Sequence, residues 1–254
     1  MNFAEYIAQK QVFTTKELLE ATGHPESTHV ALSRAVKNGK VEKIRSGLYI
    51  SQHGRFQGTQ ADPYRIATAL RPDAVFVFHS AIELHGLSQS VSSYVQFMTS
   101  ARVSEFTFNG VTFKSMSLRA NPLTQTLYAH AYDSVVATTR EQTLVDCMSK
   151  ISAAGGTEET LRSLSSLLYV DIDSIILCLD QCLPSVASRV GWFLEAQQER
   201  WSVSKDVLQA IEARIPVRAS YKLDPKVRAF ESYSTRWRLN LPADEETLKL
   251  WMEL

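Results

Sequence analysis

The chain has 254 residues and no net charge, since 27 Lys and Arg balance 27 Asp and Glu, and 44% of its residues are hydrophobic. These values are typical of a globular protein large enough for two domains. No apolar run reaches the roughly 20 residues of a membrane-spanning helix. The first ten residues include Glu5 and lack the apolar stretch of a secretory signal, so we expect a cytoplasmic protein with no membrane partner.

The N-terminal 23 residues have the pattern of two short helices. The first has an inward apolar face made by Phe3, Tyr6 and Ile7. A threonine, Thr14 or Thr15, can cap the second helix, and Glu17 in its first turn favours the positive helix end. Gly23 is expected to end this helix.

A third helix and a β-hairpin follow. Pro25 suits the first turn of the helix, where its missing N–H costs nothing. The helix buries three side chains spaced at i, i+3 and i+4: Leu32, Ala35 and Val36. Ser46-Gly47 is expected to turn between two short strands with these apolar residues: Val41, Ile44, Leu48 and Ile50. Two helices followed by a hairpin predict a winged helix-turn-helix domain over residues 1–54.

The segment from Gly23 to Arg55 is basic, with six Lys and Arg against two Glu, a net charge of +4 in a neutral chain. Phosphate is the commonest partner of such a segment, and an ordinary solvated basic face is the alternative. We expect residues 25–38 to form a recognition helix in the DNA major groove. Arg34 suits guanine, because a guanidinium can bond two acceptors of that base at once.

Eight residues are predicted to contact DNA: Ser27, Thr28, Arg34, Lys37, Lys40, Lys43, Arg45 and Ser46. The first two lie at the helix start, where exposed N–H groups help to bind phosphate. The two lysines that follow Arg34 suit phosphates. The last three lie on the wing and suit the DNA backbone or the minor groove.

Residues 52–62 are polar and contain two glycines, so they predict a linker to a second domain over 63–254. That domain begins with a helix at 63–70, and a short helix is expected at 80–85. Asn109-Gly110 between alternating apolar residues is a strong signal for a two-residue hairpin turn. Strands are predicted at 74–78, at 94–99, on both sides of this turn, at 127–132 and at 134–137.

From Thr138 onward the pattern is mostly helical, beginning with a capping-box sequence from Thr138 to Glu141. Helices are expected near 157–168, 171–182, 185–200, 204–213 and from about 245, with a strand near 237–241. The predicted fold class is α+β: a winged helix-turn-helix, then a mixed domain with a largely antiparallel sheet and a C-terminal helical part.

No catalytic, metal or cofactor site is indicated. His79, Glu83 and His85 look like ligands, but His85 falls on a different face of a regular helix. The cysteines have no nearby histidine to complete a zinc site, so we expect buried free thiols at Cys147, Cys178 and Cys182. There is no phosphate-binding glycine loop motif and no nucleophile elbow. We therefore expect a protein that is not an enzyme.

The segment 218–238 interleaves basic and aromatic residues. Aromatic rings can stack on bases while the cations follow phosphates, which is one interpretation. The other is that the aromatic rings pack inward and the charges are solvated. The pattern does not decide between a nucleic-acid or partner surface and simple packing.

Four segments in this order resemble the AbiE-type abortive-infection antitoxins, which are winged-helix transcriptional regulators of type IV toxin-antitoxin systems. The first two are the wing ending RSGLYIS and the strand-helix segment VFHSAIELHGLS. The third, VATTREQTLVDCM, is similar to the family's Ala-x-x-Glu-x-Thr/Ala-Leu-x-Asp helix. The fourth, RVGWFLE, is similar to its Arg-x-Gly-x-x-Leu-Glu helix, and is followed by Leu223-Asp224-Pro225 and Arg236-Trp237.

The resemblance implies a phage-defence regulator with two functions. The N-terminal domain would bind inverted repeats in the operator of its own operon as two copies and repress transcription. The C-terminal domain would counteract a cognate toxin of the nucleotidyltransferase class. A stand-alone winged-helix regulator, with a second domain that senses a ligand or a protein, is the alternative.

Overall fold

The structure, a computed structural model, describes residues 1–128 and 134–253. Within these residues there are eleven α-helices and twelve strands in three sheets. The predicted α+β class is confirmed. None of the described helices is both long enough and apolar enough to cross a bilayer.

The N-terminal domain is a winged helix-turn-helix. Its elements are α1 (Phe3–Gln9), β1 (Val12–Thr14), α2 (Thr15–Thr22), α3 (Pro25–Lys37), β2 (Val41–Arg45) and β3 (Leu48–Ser51). The three strands form an antiparallel sheet in the order β1-β3-β2. The sequence did not predict β1, because three residues are too few to show an alternating pattern. Because β1 pairs with β3, the N-terminal part of the domain is hydrogen-bonded to the wing.

The ends of α2 are set by local side chains. Thr14 accepts a hydrogen bond from the backbone N–H of Glu17, and the Glu17 carboxylate accepts one from the N–H of Thr14. Burial favours the neutral acid, but hydrogen bonds from Lys10 and Thr14 outweigh it and hold the pKa of Glu17 below its usual value. Gly23 ends the helix in the left-handed conformation with φ +70°, which confirms the predicted limits.

The second domain begins with a six-stranded sheet and two helices. Its elements are α4 (Pro63–Leu70), β4 (Val75–Phe76), α5 (Phe78–Leu84), β5 (Tyr94–Thr99), β6 (Phe106–Phe108), β7 (Val111–Ser117), β8 (Thr124–Tyr128) and β9 (Ser134–Thr138). The strand order is β6-β7-β5-β4-β9-β8. The sheet is antiparallel in three of its five pairings and parallel in two, β5–β7 and β4–β9. It is therefore more mixed than the sequence suggested.

Two details of this sheet differ from the prediction or refine it. β4 is shorter than the predicted 74–78, because Phe78 has φ +52° and begins α5. The strand predicted at 127–132 begins earlier, at Thr124, and residues 129–132 lie outside the described part of the chain. Asn109 and Gly110 have φ +47° and +78°, as the predicted hairpin turn requires.

The C-terminal part is helical with a small third sheet. Its elements are α6 (Arg140–Ser149), α7 (Thr157–Ser165), α8 (Ile172–Leu179), α9 (Pro184–Ala196), α10 (Lys205–Glu212), β10 (Tyr221–Lys222), β11 (Ser232–Ser234), β12 (Leu239–Leu241) and α11 (Glu245–Met252). Thr139 caps α6, one residue later than predicted, because the buried Thr138 ends β9. β12 lies between β10 and β11.

The two predicted domains share a hydrophobic core. Val12, Leu48 and Ile50 on the wing sheet are buried and pack with second-domain residues that include Ile66 and Phe76. A fragment cut near residue 55 would expose these three side chains to water. Binding measurements therefore need the full chain.

The predicted linker also contacts the N-terminal domain. Arg55, in a short 3-10 turn over Gly54–Phe56, donates a hydrogen bond to the backbone oxygen of Gln9 at 2.9 Å. The side chain of Gln11 donates one to the hydroxyl of Thr59 at 3.0 Å. The segment 52–62 is thus held against the first domain, and the domain boundary itself stays a prediction.

Candidate nucleic-acid interface

Helix α3 buries one face and leaves the opposite face open. Thr28, Leu32 and Ala35 are buried against the rest of the domain. The exposed face carries four side chains spaced by three or four residues, so they form one stripe along the helix: Ser27, Val30, Arg34 and Lys37. An exposed helix of 13 residues with such a stripe has the form of a recognition helix.

Four exposed cations extend this surface from α3 to the wing: Arg34, Lys37, Lys40 and Lys43. Within the described residues none of the four makes an ion pair, whereas Lys10 pairs with Glu17 and Lys16 pairs with Glu20 in the same domain. Charge that is not neutralised internally is available to phosphates. We call these four residues the basic strip.

Thr28 is a correction to the predicted contact set. Its side chain is only 4% exposed, and its hydroxyl lies 2.8 Å from the hydroxyl of Thr22 on α2. The hydrogen bond joins the two helices of the motif. Because this side chain faces the core rather than solvent, we drop the predicted DNA contact of Thr28.

Arg45 has partners outside the wing. Its guanidinium lies over the ring of Phe106, 4.8 Å from the ring centroid, and donates a hydrogen bond to the backbone oxygen of Ser104 at 3.3 Å. Both partners belong to the second domain, 59 or more residues away in the chain. Arg45 therefore joins the wing to the second domain, and we propose that it has this role in place of its predicted DNA contact.

The remaining predicted residues are all exposed. Ser27 lies in the first turn of α3 and donates a hydrogen bond to the backbone oxygen of His24 at 3.2 Å. Ser46 lies in the turn between β2 and β3. With the basic strip these two serines make six exposed residues between the start of α3 and the turn of the wing. Their DNA contacts stay predictions.

Val30 was missed by the sequence reasoning. Its side chain is 51% exposed in the middle of the stripe, between Ser27 and Arg34. A branched apolar side chain on a polar helix face departs from the usual pattern, and that departure was the available signal. In the major groove such a group can contact the methyl group of thymine.

The roles of Arg45 and Lys43 can be separated by salt dependence. If two copies bind DNA, Lys43→Ala should make the slope of log K against log salt shallower by about 2, from roughly 0.9 per lost contact. Arg45→Ala should leave the slope unchanged and lower the free energy of unfolding by about 0.5–1 kcal/mol, since it loses its cation–π contact. Anisotropy titrations and urea denaturation measure both effects. A slope that changes equally in the two variants would contradict the assignment of Arg45.

The segment 218–238 is partly explained by packing. Trp237 is fully buried, and its Nε1–H donates a hydrogen bond to Glu195 at 2.6 Å. Arg236 bonds to both Glu195 and Glu212. Burial opposes its charge, but the two carboxylates outweigh this and raise the pKa of Arg236. These two residues therefore belong to the packed structure, in line with the second interpretation of the segment.

The side chains that resemble metal ligands have separate partners. His79 Nε2 lies 3.2 Å from Glu159, His85 Nε2 lies 2.8 Å from the backbone oxygen of Thr138, and Glu83 accepts a hydrogen bond from the Tyr64 hydroxyl. Burial lowers the pKa of His85. In the described ranges no group of three or more His, Cys, Asp or Glu could hold a metal ion.

Cys147, Cys178 and Cys182 are free thiols, and Cys182 is only partly buried.

Two comparisons with known proteins agree with this description. The structure of the RV2827C protein from Mycobacterium tuberculosis has a similar fold, with a TM-score of 0.68 and 14% sequence identity over 98% of this chain and 91% of that chain. No curated protein matches the chain in sequence. Residues 4–52, which hold α3 and the wing, match the family profile of the AbiEi antitoxin transcriptional regulators, so the family suggested by the sequence motifs is confirmed over this N-terminal segment.

Proposed function

We propose that this protein is a DNA-binding autorepressor and an antitoxin that counteracts a nucleotidyltransferase-type toxin. The observation that carries the first half is the basic strip, with four exposed cations that have no ion-pair partner in the described residues. A recognition helix needs an exposed polar face beside unneutralised charge, and α3 has both. The protein would act in the cytoplasm, where its operator lies.

In this proposal α3 lies in the major groove and the wing lies beside it. Arg34 reads a guanine, Val30 contacts a thymine methyl group, and Ser27 contacts a phosphate or a base edge. Lys37 and Lys40 contact phosphates, and Lys43 and Ser46 contact the backbone or the minor groove. Two copies bind inverted repeats whose centres are separated by whole helical turns of roughly 34–36 Å.

The proposed antitoxin activity rests on a different observation. This is the match of residues 4–52 to a family whose description names both transcriptional regulation and an antitoxin. A stand-alone regulator with a ligand-sensing second domain is the other candidate, and a polar cavity in that domain favours it. The two candidates share the DNA-binding step and differ in whether a toxin is neutralised.

Promoter binding tests the shared step. The full chain should bind a labelled fragment of its own promoter more tightly than an unrelated sequence of equal length, measured by fluorescence anisotropy at fixed salt. Lys37→Ala should weaken binding, and the matched control Lys16→Ala, an exposed lysine on α2 outside the basic strip, should not. Equal affinity for both DNA sequences would contradict specific repression.

Co-expression tests the antitoxin half. If a nucleotidyltransferase is encoded beside this gene, its expression should stop growth, and the full chain should restore it. Rescue should persist in Lys37→Ala, because the proposal assigns neutralisation to the second domain. Growth arrest that the full chain does not relieve would favour the stand-alone regulator.

A further inference from the structure

A polar cavity of about 560 Å³ lies in the second domain, away from the basic strip. Strands β5 and β7 form one wall and the loops around α6 and α7 form another. Its volume is in the range of small-molecule sites, roughly 300–1,000 Å³. The candidate nucleic-acid interface uses none of its lining residues.

Two buried side chains on the cavity wall have polar atoms that no described residue binds. His79 is 3% exposed and Gln96 is 6% exposed, and both line the cavity. Among residues 1–128 and 134–253, neither the Nδ1 atom of His79 nor the Oε1 atom of Gln96 has a hydrogen-bond partner. A buried polar atom that stays unpaired costs free energy, so such atoms indicate a bound group that the protein itself does not supply.

The contacts of His79 determine which hydrogen-bonding groups this wall presents to a ligand. Glu159 Oε1 lies 3.2 Å from His79 Nε2 and also accepts hydrogen bonds from the backbone N–H groups of Gln89 and Ser90. The Glu159 carboxylate therefore acts as an acceptor towards His79 as well. In the neutral imidazole, the proton then lies on Nε2, and Nδ1 carries a lone pair. With Gln96 Oε1, the wall presents two acceptors to any ligand that carries N–H or O–H groups.

The mouth of the cavity is cationic. Lys114, Lys150 and Lys226 line it, with Asp224 as the acidic residue of the lining. Lys114 pairs with Glu105 at 3.5 Å, whereas Lys150 and Lys226 make no ion pair with any described residue. Asp224 accepts a hydrogen bond from the backbone N–H of Lys226 at 2.9 Å. The excess positive charge suits an anionic group.

A pair of glycines brings the backbone close to this mouth. Gly155 and Gly156 line the cavity with φ +96° and +94°, and Gly156 is the N-cap residue of α7, so no side chain caps the start of this helix. A Cβ at Gly155 would lie 2.6 Å from Cγ of Glu159 and 3.3 Å from Cδ2 of His79. Only glycine leaves room for the His79–Glu159 contact.

We propose that this cavity binds a small phosphorylated molecule whose other end donates hydrogen bonds. The phosphate lies at the mouth with Lys150 and Lys226, and N–H or O–H groups reach His79 Nδ1 and Gln96 Oε1. A nucleoside monophosphate and a sugar phosphate both have this chemistry. Phe78, Tyr94 and Met116 in the lining provide apolar and aromatic surface for the body of the ligand.

Isothermal titration calorimetry of the full chain tests this proposal without DNA, so its result is independent of the proposed function. The probes are AMP, GMP, CMP, UMP and ribose 5-phosphate, with inorganic phosphate and adenosine as partial ligands. We expect saturable binding of at least one phosphorylated probe at one site per chain. Binding of a nucleotide but not ribose 5-phosphate would identify a base as the donor end.

Variants locate the site. The double variant Lys150→Met and Lys226→Met should weaken binding at least tenfold, and so should Gln96→Met, which keeps the side-chain length but removes the acceptor. Lys205→Met, an exposed lysine at the start of α10 that does not line the cavity, is the matched control and should bind as the wild type does. Unchanged melting temperatures would show that the variants are folded.

Three results would overturn the proposal. The first is no saturable binding of any phosphorylated probe to the folded wild-type chain. The second is adenosine binding as tightly as AMP, which would show that the phosphate contributes nothing to affinity. The third is binding that survives in both cavity variants, which places the ligand elsewhere.

Discussion

Gly191→Ala should destabilise the protein by about 1–3 kcal/mol, as expected for overpacking in a core. Alanine is normally the better helix former by about 1 kcal/mol, so the expected sign is opposite to the usual one. A Cβ at Gly191 would lie 2.1 Å from Cζ3 of Trp237, closer than any real contact. Urea denaturation with linear extrapolation measures the change in free energy of unfolding. Unchanged or increased stability would contradict this packing.

The Trp237 ring cannot easily move away from the added methyl group. Its Nε1–H is bonded to Glu195 at 2.6 Å, and its backbone oxygen accepts a hydrogen bond from Ser188 at 2.5 Å. Trp237→Leu relieves the clash and serves as the partner variant. In a double-mutant cycle the pair should cost less than the sum of the two single variants. Additive costs would show that the methyl group and the ring do not meet.

The packing around Trp237 also explains why the Arg-x-Gly-x-x-Leu-Glu motif occurs together with the Arg-Trp pair. The sequence analysis identified both only by their resemblance to a family. Arg189 donates hydrogen bonds to the backbone oxygens of Met148, Ser149 and Lys222, at 3.1, 3.0 and 2.8 Å. Gly191 makes room for Trp237, and Glu195 binds its indole. The Arg-x-Gly-x-x-Leu-Glu helix and the Arg-Trp pair are therefore two halves of one packing unit.

Arg34→Ala should weaken specific DNA binding by about 1–3 kcal/mol if the guanidinium reads a base. Arg34 lies on the exposed stripe of α3 without an ion-pair partner in the described residues, so its charge and donors are free for DNA. Competition titrations against the promoter and an unrelated duplex measure this loss. The unrelated duplex should be affected less, because it lacks the base that Arg34 reads. Unchanged promoter affinity would remove Arg34 from the contact set.

Salt dependence tests the three lysines of the basic strip. Arg34 is assigned to a base, so two copies with three lysines each would neutralise about six phosphates, which gives a slope of log K against log salt near −5. Lys37→Ala should move this slope towards −4, since each copy loses one contact worth roughly 0.9. The Lys16→Ala control should keep the wild-type slope. A wild-type slope near zero would contradict binding to nucleic acid.

Much of the local structure could be predicted because its causes lie within a few residues of each other. The threonine cap at the start of α2, the stop at Gly23 and the Asn109-Gly110 turn are each set by side chains and backbone angles of near neighbours. The excess of basic residues between Gly23 and Arg55 is likewise a property of the sequence itself. These features were sufficient to predict the winged helix and its charged face.

Contacts between distant segments decided the rest. Thr28 is a helix-start residue in the sequence but lies against Thr22, and Arg45 is a wing residue but lies over Phe106. The phosphate-site hypothesis depends on His79 meeting Glu159 across 80 residues of chain. Periodicity shows which face of an element is apolar. Only the packed chain determines which neighbour that face meets and which charges remain free.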